Sequence, residues 1–332
     1  MSPPPIHLLF EPGSAVTCDP IRSTVLPDSS AESRSAAAQH VSAPCIGLGG
    51  ARGSINAAAL LEAARSLTST ESDVVLLPLA GYDWLELLAD LPGAVLARVP
   101  QVSQGSLVVL RRDRLLPVGP RKEARDLLSG VADDGARIHV GAPLTTAALT
   151  PFRLPVLAPR ESELLAPRLE GFLAFDPERL APVRSADDLT ALRAGLFQLH
   201  DALERSHACS QSIEGRGRHQ AGDYWHAIMH RRETDYGNAR YWFRHVGTHP
   251  IHAELASRAA QVLAARDVAD AARWRSRLGL PGRWDSAAFV DLCERATGDE
   301  DSPLGQVARR IQWTEMLLLL RSTCEDAYGS ER

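Results

Sequence analysis

Hydrophobic positions change their period near the middle of the chain. In the first half, short apolar runs alternate with helical spacings. Val74–Leu79 reads as a buried strand, Trp84–Asp90 as a short helix, Ala94–Val99 and Leu107–Arg111 as strands, Arg121–Val131 as a helix and Arg137–Val140 as a short strand. Such alternation predicts an α/β layer structure. Residues 1–45 are rich in Pro, Ser and Ala with weak periodicity, and Ser29–Ala43 reads as a mobile loop or linker. Prolines at 143, 151, 155, 159, 167, 177 and 182 then interrupt regular elements, which sets the expected domain boundary near residue 183.

From Ser185 onward the spacing is helical. Asp187–Asp188 are expected to cap a long helix whose Leu189, Leu192, Leu196, Leu199 and Leu203 recur every three or four residues. Further helices are predicted over Asp223–Glu233 and Ala239–Val246, the latter capped by Asn238 and ended by Gly247. Helices at about 253–265, 286–296 and 304–326 complete the set, with Ser302–Pro303 as the start signal of the last. The expected fold is therefore an α/β N-terminal domain over 1–182 followed by a mainly α-helical domain over 183–332, a helical bundle without internal repeats.

Composition narrows the class. A chain of 332 residues, 45% hydrophobic and 23% charged, is long enough for two cored domains and is neither disordered nor collagen-like. A net charge of −5 argues against a broad basic surface for nucleic acid. Met1–Phe10 has three prolines and no basic region of a signal peptide, and the apolar run Met316–Leu320 is far short of the ~20 residues that span a bilayer. A soluble, cytoplasmic protein without membrane or nucleic-acid partners is expected. Cys18, Cys45, Cys209, Cys293 and Cys324 are scattered singly, which fits reduced structural thiols.

The chemistry concentrates in one segment. Eight of eleven histidines lie between residues 200 and 252: His200, His207, His219, His226, His230, His245, His249 and His252. Tyr224, Trp225, Tyr236, Tyr241, Trp242 and Phe243 join them. On a continuous helix, His200, Glu204 and His207 fall at i, i+4 and i+7, on one stripe. Asp223, His226, His230 and Glu233 form a second stripe, and Gly215, Gly217 and Gly222 between the helices let them fold back on each other. Helical bundles that bind metal use inward carboxylates and imidazoles with Glu-x-x-His as a recurring unit, which Glu204-x-x-His207 matches and Asp223-x-x-His226 matches with Asp. A mixed imidazole–carboxylate set suits Zn, Fe or Mn.

Other features bear on that reading. Glu315 interrupts the apolar stripe of Ile311, Leu318 and Leu319 and needs a partner, whether metal, Arg or His. Arg231, Arg232, Arg240 and Arg244 either clamp a substrate carboxylate or phosphate or pair internally with Glu233, Asp235 and Glu214. His219 reads as solvated, and His249 and His252, flanking Pro250, as turn residues. His226-Ala-Ile-Met-His230 lacks the glutamate of a zinc-peptidase helix. Gly47-Leu-Gly-Gly-Ala-Arg-Gly53 lacks a Walker lysine and reads as a flexible turn, no G-x-S-x-G elbow exists, and Cys209 falls on a different face from His207.

The run Gly222-Asp-Tyr-Trp-His-Ala-Ile-Met-His-Arg-Arg-Glu233, with Asp235-Tyr-Gly-Asn-Ala-Arg-Tyr-Trp-Phe-Arg-His-Val-Gly247 and His249-Pro250, resembles the hallmark of a family of bacterial and fungal proteins without an assigned activity. Leu199–His207 and Ser210–Gly215 resemble it as well. The likeness covers about residues 190–255 and implies no chemistry.

Two functions remain in play. In the first, His200, Glu204, His207, His226 and His230 hold a divalent ion in the helical domain. Glu233 is then general base or extra ligand, Asp223 orients an imidazole, and Arg231, Arg240, Arg244, Trp225 and Tyr241 hold a small-molecule substrate for a hydrolase- or lyase-type step. In the second, the cluster is a structural polar network in a non-enzymatic ligand- or partner-binding module, with Trp225, Tyr241 and Trp242 forming an exposed patch.

Overall fold

The structure is a computed structural model that describes residues 6–10, 15–17, 22–25, 33, 37, 43–55, 57–69, 72–115, 124–159, 169, 171, 173 and 181–329. Most of the expected loop at 29–43 and residues 121–123 of an expected helix lie outside that set. The chain divides into two compact units, Met1–Phe152 and Arg153–Arg332. The boundary expected near residue 183 adjoins residues 174–180, which are also outside the described residues.

The first unit is built on a six-stranded sheet of order β3-β1-β4-β7-β6-β8, comprising β1 (Ile6–Phe10), β3 (Arg22–Val25), β4 (Cys45–Gly49), β6 (Val74–Pro78), β7 (Ser106–Arg111) and β8 (Ile138–Val140). Strand β7 runs antiparallel to β4 and β6, while the other neighbours pair in parallel. A small sheet of β2 (Ala15–Thr17), β5 (Ala51–Ser54) and β9 (Ala147–Ala148) accompanies it. Strand β1 escapes a search for alternation because it is an inner strand, with Ile6, Leu8, Leu9 and Phe10 all buried. The glycine run is strand rather than flexible turn: Gly47 pairs with Leu8, whose Cδ2 would lie 2.5 Å from any added Cβ. Helices α1 (Ala57–Thr68) and α2 (Ala124–Asp133) belong to this unit.

Of two neighbouring expectations, the strand fails and the short helix holds. Ala94–Val99 holds a short helix, Gly93–Leu96, in which Val95 and Leu96 donate to the Pro92 carbonyl at 2.9 Å. Trp84–Asp90 is a 3₁₀ turn over Asp83–Leu88. Ala94–Val99 is buried throughout, so its apolar run carries no period that separates strand from helix.

The second unit is helical: α3 (Ala186–Leu199), α4 (Leu203–Ser212), α5 (Ala221–Arg232), α6 (Tyr236–Val246), α7 (His252–Ala264), α8 (Ala271–Arg277), α9 (Ser286–Ala296) and α10 (Pro303–Tyr328). Helix α10, 26 residues and about 39 Å long, is its axis. Every residue from Ile311 to Leu320 is buried, the polar Gln312, Thr314 and Glu315 included, so this stretch is enclosed on all faces and not only along its apolar stripe. Ser302 caps it by accepting the Gly305 N–H at 3.1 Å, with Pro303 in the first turn. The caps of α3 and α6 fall earlier than expected: Ser185 accepts from the Asp188 N–H at 3.1 Å and Asp235 from the Asn238 N–H at 3.0 Å. Asp187–Asp188 and Asn238 instead lie inside their helices. No described helix is long and apolar enough to cross a membrane.

The expected long helix through Leu203 is broken. His200 ends α3, and Asp201 takes φ +61° before α4 begins. The fully buried Arg232 guanidinium explains the break. It donates to the Gln198 carbonyl at 2.6 Å and to the Asp201 carboxylate, so the last turn of α3 is satisfied from outside. His200, Glu204 and His207 therefore share no continuous stripe.

Candidate functional site

Helix α5 carries the densest chemistry, and all of its residues are buried. Two glycines admit it. A Cβ on Gly195 of α3 would meet the Trp225 ring at 2.6 Å, and one on Gly222 would meet the Ile213 side chain at 2.6 Å. Trp225 is wholly buried, and its Nε1 donates to Thr323 Oγ1 at 3.3 Å. That makes it a core residue rather than a surface platform.

His226 and His230 are one turn apart on α5, and His207 of α4 lies against both. Their ring centroids are 4.7 Å apart for His226–His230, 4.8 Å for His207–His226 and 5.6 Å for His207–His230. One nitrogen from each ring falls within a mutual spacing of 4.8 Å. Trp242 of α6 stacks on His226 at 4.1 Å. His230 Nδ1 sits 2.5 Å from Glu233 Oε1, so a proton on Nδ1 leaves the Nε2 lone pair for another partner.

His226 is the anomaly of the group. It is 2% exposed, and neither of its ring nitrogens has a hydrogen-bond partner. Burial above all, with the neighbouring His230 and His207, pulls its pKa down to about 3, which keeps the ring neutral. An unsatisfied buried polar group costs about 1–3 kcal/mol. A neutral imidazole is also the form that binds metal.

The remaining predicted residues lie elsewhere. His200 closes α3 outside the three-histidine group, and Glu204 is exposed on α4. The Asp223 carboxylate accepts the Gly215 N–H at 3.1 Å, holding the connection ahead of α5, and burial raises its pKa. Arg231 is fully buried with Nη2 2.5 Å from Glu315 Oε2, and its guanidinium stacks 4.6 Å over Phe289. Tyr224 donates to the other Glu315 oxygen at 3.0 Å, so Arg and Tyr are the partners that Glu315 requires. Arg240 pairs across to α9 through Asp291 at 2.6 Å and through Glu294. Arg244 is exposed, and Tyr241 is 44% exposed, 4.3 Å from the His245 ring.

Three histidines set aside as solvent or turn residues form a second group. His219 Nδ1 lies 2.6 Å from Asp326 Oδ2, and the His219 and His249 rings are 5.8 Å apart. Tyr224 meets His249 at 5.1 Å and His252 at 5.8 Å, edge to face. Their approach depends on α5, α7 and α10 packing together, for which nothing in their own spacing is a signal. The described cysteines are unpaired, and burial pushes the Cys293 and Cys324 thiols up to about 12.

Comparison with family models, with curated proteins and with solved structures returns no match.

Proposed function

We propose that His207, His226 and His230 bind a divalent metal ion through three imidazoles and leave a position open for water or a small-molecule substrate. The reading rests chiefly on His226, whose two buried nitrogens have no other partner. Three protein ligands with one open position are the usual form of a catalytic zinc site, where ligand nitrogens about 3.3 Å apart surround the ion. The observed spread of at most 4.8 Å asks the rings to close by about 1–1.5 Å around it. Glu233 fits the carboxylate that takes the distal N–H of a ligating histidine and fixes its tautomer. Bound metal supplies an acidified water, the chemistry of a hydrolase or lyase.

The competing reading, a structural polar network, draws on Glu315, whose two carboxylate oxygens accept from Tyr224 and Arg231 without a ligand. Elemental analysis and zinc calorimetry on the wild type and on a His226→Ala/His230→Ala variant separate the two. Near-stoichiometric metal in the wild type, lost in the variant, supports the metal centre. Equal and negligible metal in both leaves only the network.

A further inference from the structure

The second histidine group carries an inference of its own. His249 Nδ1 accepts the Ile251 N–H at 3.4 Å, and His252 Nδ1 accepts the His249 N–H at 3.3 Å. A backbone amide only donates, so both Nδ1 atoms present lone pairs and the proton of each neutral ring sits on Nε2. Burial keeps both rings neutral, with pKa values pulled down to about 3 for His249 and about 4 for His252. Both Nε2 atoms are buried without a partner, and His249 is only 2% exposed. These are two N–H donors lacking an acceptor. Nitrogens that carry protons do not ligate metal, and the described metal-capable groups do not include them.

The surroundings narrow what the acceptor is. Asp326, with the Arg218 guanidinium 3.8 Å away, is already engaged by His219. Glu315 is engaged by Tyr224 and Arg231. Each of these carboxylates already faces its own cation, Arg218 or Arg231, so neither arginine is left over to hold a further anion, and a neutral oxygen is the matching acceptor. His219 adds the complementary group: in the neutral tautomer that donates Nδ1–H to Asp326, its partly exposed ring offers an Nε2 lone pair.

We propose that His249 and His252 form a binding site for the carbonyl oxygen of a small neutral ligand, an amide, ester or ketone, with the His219–Asp326 pair accepting an N–H or O–H from it. The site is distinct from the His207 group and does not depend on metal there.

Long-range proton–nitrogen correlation spectra of the ¹⁵N-labelled full-length protein test the idea, with acetamide as probe and acetate as its charged counterpart. The expected result is a protonated Nε2 in both rings and a saturable acetamide shift of both. Acetate has a weaker effect, and the shift is lost in His249→Phe and in the milder His252→Asn. An unprotonated Nε2 in either ring overturns the proposal, as does a response that never saturates or survives both substitutions. An equal response to acetate overturns the ligand class. If Tyr224→Leu moves both Nε2 protons while acetamide moves neither, the donors point into the tyrosine ring and the site is void.

Discussion

Adjacent residues of α5 treat burial in opposite ways. Arg231 and Arg232 enter the interior as charges and find carboxylates there, Glu315 and Asp201. His226, five residues before Arg231, enters as a neutral ring and finds no hydrogen-bond partner. Burial alone therefore does not distinguish scaffold from site within this helix. The distinction lies in whether the buried group is answered from within the chain. An answered charge locks α5 to α3 and α10, while an unanswered imidazole stays available to something from outside.

Breaking the answered side has the largest expected effect. Glu315→Ala strands the Arg231 charge in the core and should cost about 3–5 kcal/mol in urea unfolding. The double change Arg231→Met/Glu315→Leu should recover most of that loss, because it removes the need for pairing. If Glu315→Ala costs under about 1 kcal/mol, the pair does not hold α5 in place.

On the unanswered side, Glu233→Gln should weaken zinc binding 10- to 100-fold in calorimetry, since the His230 Nδ1–H loses its charged acceptor. Urea stability should change little, Glu233 being 40% exposed. A shift in stability without a shift in affinity would move Glu233 to the scaffold.

Acid titration follows the neutral rings. The folded pKa of His249 is depressed to about 3, below an unfolded value of about 6.5. Between those limits the unfolded chain holds a proton that the folded one lacks, so stability is intact above about 6.5 and falls as the pH drops toward 3. The slope from this ring is about 1.4 kcal/mol per pH unit. Between pH 7 and 5, His249→Phe should lose about 2 kcal/mol less stability than the wild type, the full slope being reached only well below pH 6.5. An unchanged slope would mean that the ring is charged or solvated.

The smallest effect belongs to Arg240. Its exchange for Ala removes half-exposed pairs with Asp291 and Glu294 and should cost about 0.5–1 kcal/mol, with zinc affinity unchanged. A large loss of zinc affinity would return Arg240 to the site.

What the sequence determined by itself is local. The one-turn spacing of His226 and His230, the apolar stripe of α10 and its Ser302–Pro303 start follow from helix geometry and neighbouring residues, as does the division into an α/β half and a helical half. Tertiary structure decided whatever depended on distant partners. Arg232, 31 residues beyond Asp201, ended α3 early and separated His200 from His207. Glu315, 84 residues beyond Arg231, took a presumed substrate clamp into the core. Asp326, 107 residues beyond His219, drew that ring into a second cluster. Spacing along a chain fixes which side chains share a helical face, whereas the partner across that face is set by packing, to which sequence separation is blind.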